Sequence, residues 1–128
     1  MTPVWLSLRL VIAIHHEQLA EHGGPAGVRD AGRVEAALER PKNLLAYGQP
    51  DIFDLAASYG FGICQAHGFV DGNKRTSLVA TELFLELNGQ RLGADDADVV
   101  RQWLSLAAGL VSEEELATWL RESCFASS

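Results

Sequence analysis

Apolar residues recur every three or four positions through most of the chain, the spacing that puts them on one face of an α-helix. Leu8, Val11, Ile12 and Leu19 form the first such face, with Ser7 placed to cap it and Gly23-Gly24-Pro25 to stop it after His22. Asp30 can cap a second helix, in which Val34, Ala37 and Leu38 face inward and which Pro41 ends. Residues 42–50 hold a glycine and a proline and are expected to form a loop or a short helical turn. Asp51 caps a long third helix, whose stripe of Ile52, Leu55, Ala56, Tyr59 and Ile63 runs to His67. A fourth starts near Asn73 and runs to Asn88, with Gly89 as its stop. Asp95 caps a fifth, with Val99, Val100, Trp103 and Leu104 inside and Gly109 after it. Ser112 and Glu115 match a capping box that opens the last helix, which Leu116, Trp119 and Leu120 pack down. Ser127 and Ser128 are expected to fray. Strand alternation is almost absent, apart from a brief stretch near 44–53. The pattern predicts an all-α fold, a single domain over residues 1–128 built as a compact bundle of about six helices.

Composition narrows the function classes. The formal charge of −7 argues against direct nucleic-acid binding, which needs a basic face to neutralise phosphates. Lys42 and Lys74 are the only lysines. Cys64 and Cys124 are too few for a disulfide framework, and Cys64, on an apolar helical stretch, reads as a buried small hydrophobe. No apolar run approaches the ~18 residues of a membrane span. The N-terminus shows neither a basic leader nor a small-residue cleavage site, so a cytoplasmic protein with no membrane association is expected.

Residues 67–76, His-Gly-Phe-Val-Asp-Gly-Asn-Lys-Arg-Thr, carry the chemistry. They link two apolar helices by a short loop. Gly72, Asn73 and Lys74 fall at a helix start, where free N–H groups and the positive end of the helix dipole favour an anion. Gly72 lets the backbone come close to a bound group. Lys74 and Arg75 add the full charges that grip phosphate oxygens. Asp71 would repel a phosphate unless a bridging Mg²⁺ joins the two; its plainer role is to cap the following helix. The imidazole of His67 is a side chain of the kind that can take a proton from a hydroxyl. Phe69 is expected to bury itself and pin the loop. Together these residues describe phosphoryl or nucleotidyl transfer to a hydroxyl, where positioning and charge neutralisation dominate catalysis.

The stretch resembles the motif of the Fic superfamily, His-Pro-Phe-x-Asp-Gly-Asn followed by Gly-Arg or Lys-Arg. The lysine form, with threonine after it, is similar to the death-on-curing (Doc) toxin branch. Ile12-Ala13-Ile14-His15-His16, the segment from Gly23 to Asp30, Asn88-Gly89 and the closing helices extend the likeness over nearly the whole chain. The resemblance implies that His67 is the general base and that Asp71 assists Mg²⁺ or phosphate binding. It also implies that Gly72, Asn73, Lys74 and Arg75 hold the phosphates of ATP. It further implies a type II toxin whose kinase-like activity moves the γ-phosphate to a threonine of elongation factor Tu and halts translation, blocked by the C-terminal segment of a Phd-like antitoxin. AMP transfer, the habit of most Fic proteins, is the alternative within the enzyme class. A non-catalytic module that binds only nucleotide or antitoxin is the alternative outside it. Two positions depart from the pattern. Gly68 replaces proline or another larger residue, which predicts more backbone freedom after His67, and Gln65 replaces a basic residue.

His15, His16 and Glu17 diverge on a helix and are poorly placed to chelate together, so His15 reads as a buried, hydrogen-bonded histidine. His67 and Asp71 lack the second His-Asp cluster of a metal phosphohydrolase. The loop from Gly48 to Asp51 is either a flap that presents a target peptide by strand pairing or an ordinary connector. Trp103 and Trp119 read as core, and Trp5 as cover for a hydrophobic edge, where it could rim an antitoxin groove.

Overall fold

In the computed structural model, which describes residues 1–127, five of the six helices begin with a polar side chain holding a free N–H of the first turn. Ser7 does this for α1 (Leu8–His22), Asp30 for α2 (Ala31–Tyr47) and Asp51 for α3 (Ile52–Ala66). Asp95 does it for α5 (Asp96–Ala107) and Ser112 for α6 (Glu113–Ser123). Capping boxes close α3, through Asp51 and Asp54, and α6, through Ser112 and Glu115. The exception is α4 (Asn73–Leu87), which starts at Gly72 with no side-chain cap.

Helix α3 is the axis of the bundle, packed by α2, α4 and α6. Its buried face is rich in small residues, Ala56, Ala57, Ser58, Gly60 and Gly62, which lets those neighbours approach closely. A Cβ on Gly60 would sit 2.7 Å from Thr81 Oγ1 and 3.4 Å from both Leu116 and Trp103. The same point carries a buried polar chain: Trp103 Nε1–H donates to Ser77 Oγ, and the Ser77 hydroxyl donates to the Gly60 carbonyl. Gly60→Val is therefore expected to cost about 3 kcal/mol through overpacking, read as a lowered urea midpoint with the m-value unchanged.

Several expectations need correction. Pro41 does not end α2; the helix runs through it to Tyr47, so residues 42–47 are helix rather than loop. A proline inside a helix loses one backbone bond. Tertiary ties on both sides offset that loss. Arg40 donates to the Ser58 carbonyl and pairs with Glu113, the Pro41 ring is buried, and Leu45 packs on the core. In α5 the inner face is Val99, Trp103 and Leu106, whereas Val100 (53 % exposed) and Leu104 (49 %) face outward. The stretch near 44–53 holds no strand. Instead β1 (Gln90–Leu92) pairs antiparallel with β2 (Cys124–Ala126), Arg91 opposite Phe125. Three-residue strands are too short for a two-residue period to show in sequence. Ser127, expected to fray, is instead placed with its N–H donating to the Gly89 carbonyl at 2.9 Å; Ser128 lies outside the described residues. Among the described residues no helix is long and apolar enough to cross a membrane.

Candidate active site

The loop 67–72 is held from three sides. From below, Phe69 is 1 % exposed and stacks on the His15 ring, centroids 3.9 Å apart and planes 11° from parallel. From within, the Asn73 carboxamide accepts from the Phe69 N–H and donates to the Phe69 carbonyl, both at 3.0 Å. From outside, the segment between α1 and α2 runs alongside. Val28 pairs with Phe69, the Val70 N–H donates to the Gly27 carbonyl, and the Gly68 carbonyl accepts from Arg29 and Asp30 N–H at 2.8 and 3.0 Å. Gly68 consequently gains no freedom, contrary to expectation. It is buried, and a Cβ there would meet Val34 Cγ2 at 2.4 Å, so this chain has glycine because α2 passes too close for more.

His67 ends α3 in the left-handed conformation, φ 49° and ψ 40°, and is the only non-glycine residue with positive φ among those described. Such backbone is sparsely populated and persists when surroundings enforce it. The turn brings His67, Asp71, Gly72, Asn73, Lys74 and Arg75 together at the wall of one cavity of about 390 Å³.

Gly72, at φ 80°, opens α4 without a side-chain cap, so Asp71 is not the cap of that helix. The first turn carries Lys74 and Arg75 and no acid, whereas α5 and α6 begin with acids. Cations at a helix N-terminus oppose the dipole at roughly 0.3–1 kcal/mol each. That sign is wrong for helix stability and right for an anion site. Arg75 Nε is buried with no hydrogen-bond partner among the described residues, while its other end donates to the Gly23 carbonyl at 3.4 Å. Asp71 is half-buried; a Cβ on Gly24 would fall 2.4 Å from Asp71 Oδ2, so glycine there leaves room for the carboxylate.

Some participants had weak signals or none. Cys64, one turn before His67, is buried as expected but also lines the cavity. Burial pushes its thiol up, with the Lys74 charge pulling the other way. Ala107 reaches the wall from α5, a contact that only the tertiary fold creates. Gln65 instead donates to the Leu106 carbonyl and lines a different groove, between α2 and α3. The companion segment 23–30 reads from sequence as a helix stop, a cap and part of the family likeness, but not as a wall beside the motif; Gly23, Gly24 and Gly27 all have positive φ.

The remaining features resolve simply. His15 is 1 % exposed and hydrogen-bonded, as expected. No cluster of three or more His, Cys, Asp or Glu suited to a metal occurs among the described residues. Residues 48–51 join α2 to α3 without a strand, and Asp51 caps α3 and is forked by Arg121 from α6. Trp103 is core, Trp119 packs edge-on against it half-buried, and Trp5 stacks on Phe84.

Comparison with known proteins agrees with this geometry. The chain is 34 % identical to "Protein kinase doc" of Escherichia phage P1 over 112 residues, 87 % of this chain and 88 % of that protein. It is 42 % identical to "Toxin Doc" of Mycolicibacterium smegmatis over 76 residues, 57 % of this chain and 58 % of the other. A family model described as the Fic/DOC family matches residues 5–85, which span α1 to α4 and hence the whole 67–76 segment. The chain therefore belongs to the Fic/DOC family.

Proposed function

We propose that this chain is the toxin of a type II toxin–antitoxin pair and transfers the γ-phosphate of ATP to a protein threonine, with elongation factor Tu as target. The observation that carries the reading is the start of α4. Among the described residues it is the one helix without a side-chain cap, and it opens into the cavity that holds His67, Lys74 and Arg75. The names of the relatives, a protein kinase and a toxin, favour this choice within the family.

The residues fit a triphosphate. The N–H groups at the start of α4 and the unpartnered Arg75 Nε are donors in want of oxygens. Lys74 is exposed and forms no ion pair among the described residues, so its charge is free for a phosphate. Asp71 would hold Mg²⁺ together with phosphate oxygens and water, an arrangement Mg²⁺ commonly takes with a single carboxylate. The ion supplies charge neutralisation on the phosphates. His67 accepts the proton of the threonine hydroxyl as that oxygen bonds to the γ-phosphorus; the bond to the bridging oxygen breaks and ADP leaves. The Asn73 side chain is committed to Phe69, so its contribution is to shape the loop and to offer its main-chain N–H. A Phd-like antitoxin is the partner that would silence the site.

The test is incubation with elongation factor Tu and ATP labelled separately at the α and γ positions. Label from the γ position alone should appear on the factor. No label from either position on a target-competent factor would sink the reading.

A further inference from the structure

We propose that His15, on α1 and outside the motif, is a positioning residue that aims the Gly72 amide at the phosphates. The inference rests on the nucleotide reading of the cavity. His15 Nε2 lies 2.8 Å from the Asp71 carbonyl oxygen. A carbonyl only accepts, so Nε2 carries the hydrogen and donates. The bonded oxygen belongs to the peptide joining Asp71 to Gly72. That unit is planar and trans, since no cis peptide bond occurs among the described residues. Its C=O and N–H therefore point in opposite directions. Holding the carbonyl towards α1 turns the Gly72 N–H away from α1.

Gly72 lines the cavity, and no main-chain bond takes up its N–H among the described residues. Gly72 itself sits at φ 80°, a turn with no Cβ to lock it. Without an external clamp that peptide can rotate. Everything about His15 suits a clamp. It is 1 % exposed, its ring is stacked on Phe69, and its Cδ2 lies 3.5 Å from where a Cβ on Gly72 would be. A buried aromatic hydrocarbon would serve the packing equally well. The imidazole adds only the donor.

The experiment compares wild type with His15→Phe, which keeps the ring stack and loses the donor, and His15→Gln, whose amide reaches about as far as Nε2. Binding of Mg·ATP is read by calorimetry, alongside melting temperature and the kcat and KM of transfer. His15→Phe should stay folded and weaken Mg·ATP binding on the order of 10-fold, the effect expected of an outer residue that orients a ligand-binding group. His15→Gln should restore most of it. A folded His15→Phe that binds and turns over like wild type overturns the proposal. Should His15→Phe not fold, His15→Gln is set against His15→Asn, whose shorter amide cannot reach. Equal affinity in that pair overturns the proposal, and weaker binding by Asn supports it. Nitrogen NMR of the unmodified protein gives an independent readout: Nε2 should be protonated, and a bare Nε2 with protonated Nδ1 overturns the clamp. If the variants shift Mg·ATP affinity as expected while wild type transfers no phosphate, the clamp stands and the transfer reading alone fails.

Discussion

His67→Ala should abolish transfer in a protein that still folds. The side chain is exposed, so its removal leaves no buried void. What the variant should lose is the proposed base, worth about 10²- to 10⁴-fold in rate. Stability and activity can be separated further at this position, because its backbone is left-handed, φ 49°. A left-handed residue with a Cβ costs roughly 1–2 kcal/mol, and a glycine relieves that at an entropic cost of roughly 0.5–1 kcal/mol. His67→Gly should therefore stay within about 1 kcal/mol of the parent in stability while being as inactive as His67→Ala. Intact-mass measurement of the target, run beside melting curves of both variants, reads the two effects. A folded variant that still modifies the target removes His67 from the role of base.

The helices were readable because their ends are written in local chemistry. Ser7, Asp30, Asp51, Asp95 and Ser112 each stand where the structure uses them as caps. What escaped was set by partners distant in sequence. Pro41 looks like a stop until Arg40 ties α2 to α3 and α6. Gly68 looks like a loosened hinge until Val34 is seen 2.4 Å from its absent Cβ. Val100 and Leu104 read as core because helical spacing alone permits more than one inward face; burial of Trp103 and Leu106 chose the other. The site shows the same division. Residues 67–76 announce their chemistry by type and order, but that segment 23–30 edges the motif depends on long-range pairing such as Val28 with Phe69. Asn73 reads from sequence as part of the helix start; that its side chain also braces the loop, through both main-chain groups of Phe69, shows only in the fold.

Lys74→Gly is expected to lower phosphate transfer by about 10- to 100-fold, the worth of one hydrogen bond to a charged group, about 1.5–3 kcal/mol. The loss should not come from unfolding. Lys74 is exposed in the first turn of α4, where its charge opposes the helix dipole. Removing that charge gains a few tenths of a kcal/mol and offsets part of the cost of about 1 kcal/mol for glycine in a helix. Lys74→Ala avoids the glycine cost and should lose activity equally, which ties the effect to the charge. The position also bears on which group moves. In the motif of the AMP-transferring relatives a glycine stands here and lets a phosphate lie against bare backbone. A lysine fills that space and adds a charge on a flexible stem. ATP should then sit with its γ-phosphate towards His67 and the target hydroxyl, so that in-line attack gives phosphorylation and ADP. The opposite pose gives an AMP adduct and pyrophosphate. The two adducts differ in mass, so intact-protein mass spectrometry of the wild-type product decides between them. An AMP adduct without a phosphate adduct would overturn the kinase reading and leave the fold assignment intact. Lys74→Gly need not convert one activity into the other, because the pose also depends on Arg75, held against Gly23, and on the turn at Gly72.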